Sequence, residues 1–332
     1  MTIEIKTNVI QPRRQTFEHV AKRLGADKPA SRYQEATWDV QPTTNFHYRP
    51  TWDPEREIYD TKLTAIKMED WYAFVDPRQF YYGTYTMARH KMMEAEENNF
   101  KIVDKGNLLN LMSDEWKQKV KKYLLPLRHF EWGANMNNCD YSDKAYGTAV
   151  SQVGLFCAMD RLGIAQIISR IGLQFDDNSG DSLEQAKTDW MESDIWQGVR
   201  RLQEDSFVTE DWFELCVAQN FCMDGVVFPL FYQYCDEEGL KHGGTALSML
   251  SQFMQEWAKD EARWVDQLIK VTANENTENK DLIQKWIGHW LDRSLDAFKP
   301  IASYVLGDGA DDALQAIRSE LVKRASRSGI EI

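Results

Sequence analysis

The chain has 332 residues, with 39 lysines and arginines against 52 aspartates and glutamates, for a net charge of −13. That sign argues against a nucleic-acid backbone binder, and 43% hydrophobic with 27% charged residues is a globular balance, not a disordered one. No apolar run approaches the roughly 18 to 20 residues that cross a bilayer, and Met1 to Arg14 hold no apolar stretch, so a cytoplasmic chain with no membrane and no nucleic-acid partner is expected.

Five of the nine prolines (Pro12, Pro29, Pro42, Pro50, Pro54) fall in the first sixty residues, among Tyr33, Trp38, Phe46, Tyr48 and Trp52. This predicts an extended N-terminal arm over 1–60 with one short helix, Thr16 to Leu24, closed by Gly25. An arm with so many aromatics packs on its own domain or wraps a partner. Residues 61–332 then read as a single helical domain. Asp76-Pro77 pairs a capping carboxylate with an N1 proline and predicts a helix to about Asn98. Ser113-Asp114-Glu115 opens a helix towards Asn138 that Pro126 kinks or divides. Ser142-Asp143 starts one that stops at Gly172, and Ser182 with Gln185 forms a capping box for one to about Glu204. Thr209-Glu210-Asp211 opens a run to Cys235 containing Pro229; Thr245 to Thr272, Asp281 to Val305 and Ala310 to Ala325 complete the series. Strand-like alternation is nearly absent, so the fold class is all-α. Ala145 to Leu173 and Phe213 to Tyr234 are apolar on most faces and are expected to be buried all round, at the centre of a bundle.

A bundle with buried central helices invites a test for a carboxylate-bridged di-iron site. Such sites use Glu-x-x-His pairs, because residues three apart share a helical face and both reach one metal. Three residues before His19, His47, His90, His129, His242 and His289 stand Thr16, Thr44, Met87, Pro126, Gly239 and Trp286. No Glu-x-x-His exists, and a ligand set of the usual kind is excluded. The chain also lacks a phosphate loop, a Gly-x-Ser-x-Gly elbow, a dinucleotide fingerprint and a His-Glu-x-x-His zinc motif. Cys139, Cys157, Cys216, Cys222 and Cys235 form no Cys-x-x-Cys pair and read as small buried hydrophobes. His129 with Glu131, and His289 with Asp292, are read as structural groups and not as acid–base pairs. No catalytic, cofactor-binding or metal residue is assigned to this chain.

Three stretches carry a resemblance: Arg32-Tyr33-Gln34-Glu35, Asn45-Phe46-His47-Tyr48-Arg49-Pro50-Thr51-Trp52, and Asp76-Pro77-Arg78-Gln79-Phe80-Tyr81-Tyr82-Gly83-Thr84-Tyr85. Along its whole length the chain resembles the hydroxylase β subunits of bacterial multicomponent (soluble di-iron) monooxygenases, most closely those of phenol hydroxylases. The resemblance implies a ferritin-like, ribonucleotide-reductase-like helical bundle with additional helices, in which only the related α subunit keeps the metal. The α motif Asp-Glu-x-Arg-His-x-Gln looks like Asp160-Arg161-Leu162-Gly163-Ile164-Ala165-Gln166 here, with Arg161 and Ile164 in place of Glu and His. The second, Asp-Glu-x-Arg-His, looks like Asp260-Glu261-Ala262-Arg263-Trp264, with Trp264 in place of His. The two single carboxylates fall near Glu131, kept, and Asn220, changed to an amide. Glu131, Arg161, Ile164, Asn220, Glu261 and Trp264 are thus the degenerate ligand positions. The expected substitute for the metal is a buried ionic cluster with Arg161 between Glu131 and Glu261.

The same resemblance implies an (αβγ)2 hydroxylase that converts phenol to catechol with O2 and NADH. The di-iron centre would sit in α, FAD and a [2Fe–2S] cluster in a reductase, and a small regulatory protein would assist. This chain would serve scaffolding, dimerisation and component docking, with its arm on a partner subunit. The alternatives are the β subunit of a toluene or alkene monooxygenase, an enzyme in its own right, or a free-standing helical binding protein.

Overall fold

The computed structural model describes residues 16–25, 28–41, 49–51 and 53–332. Met1 to Arg14, Pro42, the Asn45-to-Tyr48 part of the arm motif and Trp52 lie outside the described residues. Among the described residues there is no strand, and the chain is all-α.

The described part of the arm holds two helices where one was expected: α1 (Glu18–Leu24) and α2 (Arg32–Thr37). The second has a readable signal. The Ser31 hydroxyl accepts from the Gln34 N–H while the Gln34 side chain accepts from the Ser31 N–H, a capping box. The described arm lies on the body of the chain. The Tyr33 hydroxyl accepts from the Asp76 N–H at 2.9 Å, Gln41 Oε1 accepts from the Gly147 N–H at 2.7 Å, and Arg23 pairs with Asp39 and Asp70.

Helix α3 (Tyr82–Gly106) begins six residues after Asp76, not at it. The Asp76 carboxylate is occupied by the Arg78 N–H and guanidinium, so it ties a turn together instead of capping a helix. Pro126 divides α4 (Asp114–Tyr123) from α5 (Leu127–Lys144), as its missing N–H requires. Helix α5 runs past Ser142-Asp143, and α6 (Thr148–Phe175) starts only after Gly147, whose φ of +89° is open to glycine at little cost. The Ser142 hydroxyl instead donates across this hairpin to the Ser151 carbonyl at 2.7 Å. At Gly154, an added Cβ would lie 2.3 Å from the Tyr141 ring, so a residue without a side chain lets the hairpin close.

The expected helix from Ser182 is two helices, α7 (Asp181–Glu192) and α8 (Asp194–Ser206), and Ser182 is not its cap. Its hydroxyl is spent on Asp176 and the Gly172 carbonyl. One continuous helix, α9 (Trp212–Leu240), follows; the Asp211 carboxylate accepts from the Phe213 and Glu214 N–H groups at its start. It contains two π-helical stretches, Val217–Met223 and Leu230–Tyr234, on either side of the segment ending at Pro229. By length and apolarity α9 could cross a membrane, unlike the sequence expectation that no such run exists, but 89% of its most apolar window is buried inside this fold. The remaining helices are α10 (Thr245–Leu250), α11 (Gln252–Glu275), α12 (Thr277–Leu306) and α13 (Ala310–Arg327).

Helices α5, α6, α9 and α11 surround a core in which Trp212, Trp257, Trp264, Phe130 and Phe213 are almost wholly buried. Helix α9 is enclosed as expected. Helix α6 is not: Leu155 is 47% exposed, and Met159 and Leu162 are each 37% exposed.

Candidate functional site

The six positions singled out in the sequence lie on those four helices, and all are buried: Glu131 on α5, Arg161 and Ile164 on α6, Asn220 on α9, Glu261 and Trp264 on α11. Their arrangement differs from the expected single cluster. Arg161 does not stand between Glu131 and Glu261. Its Nη1 donates to Glu131 Oε2 at 2.8 Å and its Nη2 pairs with Asp224 of α9. The guanidinium also sits over two rings, 4.6 Å from the Trp257 centroid and 5.1 Å from that of Phe228. Stacking of this kind suits arginine, whose planar cation is weakly hydrated.

Glu261 belongs to a second group. It pairs with Arg78, accepts from Arg89 Nη2 at 2.9 Å, and takes the indole N–H of Trp264 on its other oxygen. Arg89 also grips Asp160, whose carboxylate accepts from the Tyr85 hydroxyl at 2.8 Å and the Trp257 indole at 2.7 Å. Arg78 closes the group onto Asp76 at 3.0 Å. Trp257 joins the two groups, since its ring lies beneath Arg161 and its N–H reaches Asp160.

Ile164 offers only hydrocarbon. The Asn220 amide donates to Asn138 Oδ1 at 3.1 Å, and its oxygen accepts weakly from the Cys157 thiol at 3.6 Å. His129 with Glu131, and His289 with Asp292, read from the sequence as structural groups, have other surroundings: Glu131 is taken by Arg161, His129 Nε2 is buried without a partner, and His289 faces Arg293. Sequence reasoning missed Asp224, Arg78 and Arg89 as members of the site. Asp224 did leave a signal, being the one charged residue between Leu215 and Tyr234, and a lone acid in an apolar helix must find a counter-charge.

Burial governs the electrostatics. It pushes the Glu131 carboxyl up to about 7, with Arg161 pulling the other way. The same desolvation raises Asp224 and Glu261 against their arginines. Burial alone would lower the Arg161 pKa, but Asp224 and Glu131 outweigh it and the side chain stays charged.

These residues do not fit a metal pair. Iron needs imidazole and carboxylate donors; Ile164 and the Trp264 indole have no lone pair to give, and Arg161 brings a fixed positive charge. Among the described residues, no group of three or more His, Cys, Asp or Glu side chains is placed to hold a metal ion. What the arrangement does is neutralise buried carboxylates with three buried arginines.

An all-α body whose central helices carry this ionic core has the architecture of a ferritin-like helical protein. Residues 49–276 match the family described as methane/phenol/alkene hydroxylase, and the chain belongs to that family. It is 45% identical over 331 residues to the phenol 2-monooxygenase oxygenase component DmpL of Pseudomonas sp. (strain CF600), covering 100% of this chain and 99% of that one. It is likewise 45% identical over 332 residues to the oxygenase component MhpL of Acinetobacter pittii (strain PHEA-2), covering 100% and 98%. The hydroxylase β subunit of the toluene-4-monooxygenase system of Ectopseudomonas mendocina is 23% identical over 72% of this chain and 75% of that one. Among solved structures, xenon-pressurized phenol hydroxylase from Pseudomonas sp. OX1 superposes with a TM-score of 0.93 at 45% identity over 99% of both chains.

Proposed function

We propose that this chain is the catalytically silent β subunit of a multicomponent hydroxylase that oxygenates phenol and related aromatics to catechols. It acts as scaffold and docking surface beside a catalytic α subunit that holds the di-iron centre. The observation that carries the reading is the buried core: the family's helical fold is kept, while Arg161, Ile164 and Trp264 at its centre offer no donor to iron. In this reading Glu131, Arg161, Ile164, Asn220, Glu261 and Trp264 are the degenerate di-iron-ligand positions.

A second feature supports a subunit role. Asn135 Nδ2 donates to the Ala158 carbonyl and the Ser142 hydroxyl to that of Ser151, which sets the register of α5 against α6. That register puts Trp132 level with Leu162, and Met136 between Leu155 and Met159. All five are exposed, Trp132 by 56%. A contiguous apolar face of this kind on two packed helices marks a protein contact. We assign it to a partner subunit, with the described arm and the body acting together. The full assembly is an (αβγ)2 hydroxylase in the cytoplasm, supplied with electrons from NADH through an FAD and [2Fe–2S] reductase and assisted by a regulatory protein. Phenol is favoured over toluene or alkenes because the identity to phenol 2-monooxygenase components is 45%, against 23% to the toluene system.

The test is purification of the tagged chain from its native host under mild conditions, with mass and iron analysis. Co-elution of a larger chain rich in Glu-x-x-His, a small third chain, and iron that follows the larger one is expected. A monodisperse, iron-bearing chain on its own would overturn the proposal.

A further inference from the structure

A cavity of about 880 Å³ opens between α9, α11 and α13, beside the ionic core but separate from the exposed face of α5 and α6. Its walls are largely hydrocarbon and aromatic: Phe228, Tyr232, Trp257, Trp264, Val265 and Leu321. Two features of the sequence create it. Both π-helical stretches of α9 contribute lining residues, Asn220 from the first and Tyr232 from the second, and a π turn widens a helix at just such places. Gly225 sets the other limit: a Cβ there would lie 2.5 Å from Leu321, so α13 approaches α9 closely at one end while the space beyond stays open.

The buried and half-buried charges that line it are already spent. Asp224 is held by Arg161 and Gln219, Glu261 by Arg78 and Arg89, Asp236 by Ser248, and Arg324 by Asp266 at 2.6 Å, while Glu237, Lys259, Glu320 and Lys323 are exposed to solvent. An ionised ligand that passed these exposed side chains would enter a desolvated space with no free counter-charge. One buried polar group remains for a neutral ligand: the Tyr232 hydroxyl, which has no hydrogen-bond partner, whereas the Asn220 amide is held by Asn138, Cys157 and Cys216. Volume, apolar lining and a few polar groups are the attributes of a small-molecule site and not of a helix-docking groove.

We propose that this cavity binds a small neutral aromatic molecule carrying a single hydroxyl, its ring against Phe228, Trp257 and Trp264 and its hydroxyl toward Tyr232. The site is independent of the subunit assignment above, because it uses only this chain's residues.

The experiment soaks 4-iodophenol into crystals of the protein in its native assembly and locates iodine by anomalous scattering. A peak between α9, α11 and α13 is expected. It should vanish in Ala262→Phe, which fills the cavity from a partly exposed position on α11, while iodine peaks elsewhere persist. Ala258→Phe, one turn earlier on the same wall, is the second variant should the first fail to fold. The anion 4-iodobenzoate should give no peak here. In solution, the wild-type assembly should broaden the fluorine resonance of 4-fluorophenol more than the filled variant does. No peak at this place in the wild type, or a peak unchanged in the filled variants, would overturn the site. An equal peak with 4-iodobenzoate would overturn the neutral-ligand assignment. Equal broadening by wild type and variant would mean binding at crystal concentration only, and would overturn the proposal as well.

Discussion

Arg161 and Glu131 are both 0% exposed and meet at 2.8 Å, on helices α6 and α5 that form one antiparallel hairpin. The arginine thereby counters Glu131 and, through its other nitrogen, Asp224 of α9. Removing it leaves two carboxylates in a space from which water is excluded. Arg161→Leu is expected to destabilise the chain by about 3 to 5 kcal/mol, the usual cost of stranding a buried charge. Adding Glu131→Leu and Asp224→Leu should recover most of that loss, since no charge then remains to be desolvated. Urea unfolding of the single and triple variants checks both statements. A single variant as stable as the wild type would show that the pair carries no weight.

Glu96 on α3 is 3% exposed, and one of its oxygens has no partner; burial pushes its carboxyl up to about 7, with Arg170 pulling weakly the other way. The folded state therefore holds the proton more tightly than the unfolded chain, where a glutamate titrates near about 4.3. The contribution to stability is fully present below that value and is lost as pH rises through about 7. Glu96→Gln keeps the neutral form at every pH. It should match the wild type near pH 4 and exceed it by about 1 kcal/mol above pH 8, once solvent screening is allowed for. Thermal unfolding at the two pH values measures the difference; equal pH dependence in both proteins would reject it.

Two glycines on α6 should respond in opposite directions. At Gly154 an added Cβ would lie 2.3 Å from the Tyr141 ring, whose hydroxyl is fixed on the Val150 carbonyl at 2.6 Å. Gly154→Ala is expected to cost about 1 to 3 kcal/mol through overpacking. At Gly163 nothing lies within 4 Å, and Gly163→Ala should gain up to about 1 kcal/mol from helix propensity. Denaturant midpoints of the two variants decide the matter, and a Gly154→Ala midpoint above that of the wild type would show that the hairpin has slack.

The exposed apolar face should matter for assembly and not for folding. Trp132→Glu with Met159→Glu places charges on side chains that are 56% and 37% exposed, so the helical circular dichroism should be unchanged. Capture of the larger partner chain in the purification described above should fall at least roughly tenfold, because a charge buried at an interface centre without a counter-ion costs well over 1.4 kcal/mol. Undiminished capture would place the partner on another surface.

The sequence by itself determined the helical class and the approximate order of helices. Apolar periodicity, Pro126 and the caps at Ser113 and Asp211 are local signals, and burial of one helix face enforces them whatever the neighbours are. It also identified Ile164 and Trp264 as unfit for metal, because donor chemistry is a property of the residue type. Boundaries failed where a capping residue had a stronger partner elsewhere: Asp76 was claimed by Arg78, Ser182 by Asp176, and Ser142 by the Ser151 carbonyl. The pairing of the buried charges was decided only by the tertiary structure. Arg78 and Arg89 are 183 and 172 residues from Glu261, and Asp224 lies on a different helix from Arg161. An ion pair is specified by the closest approach of two side chains, and that distance exists only once the helices have packed. The same holds for the outer face of α6, which looks fit for a core in the sequence and is left open because no element among the described residues covers Leu155, Met159 and Leu162.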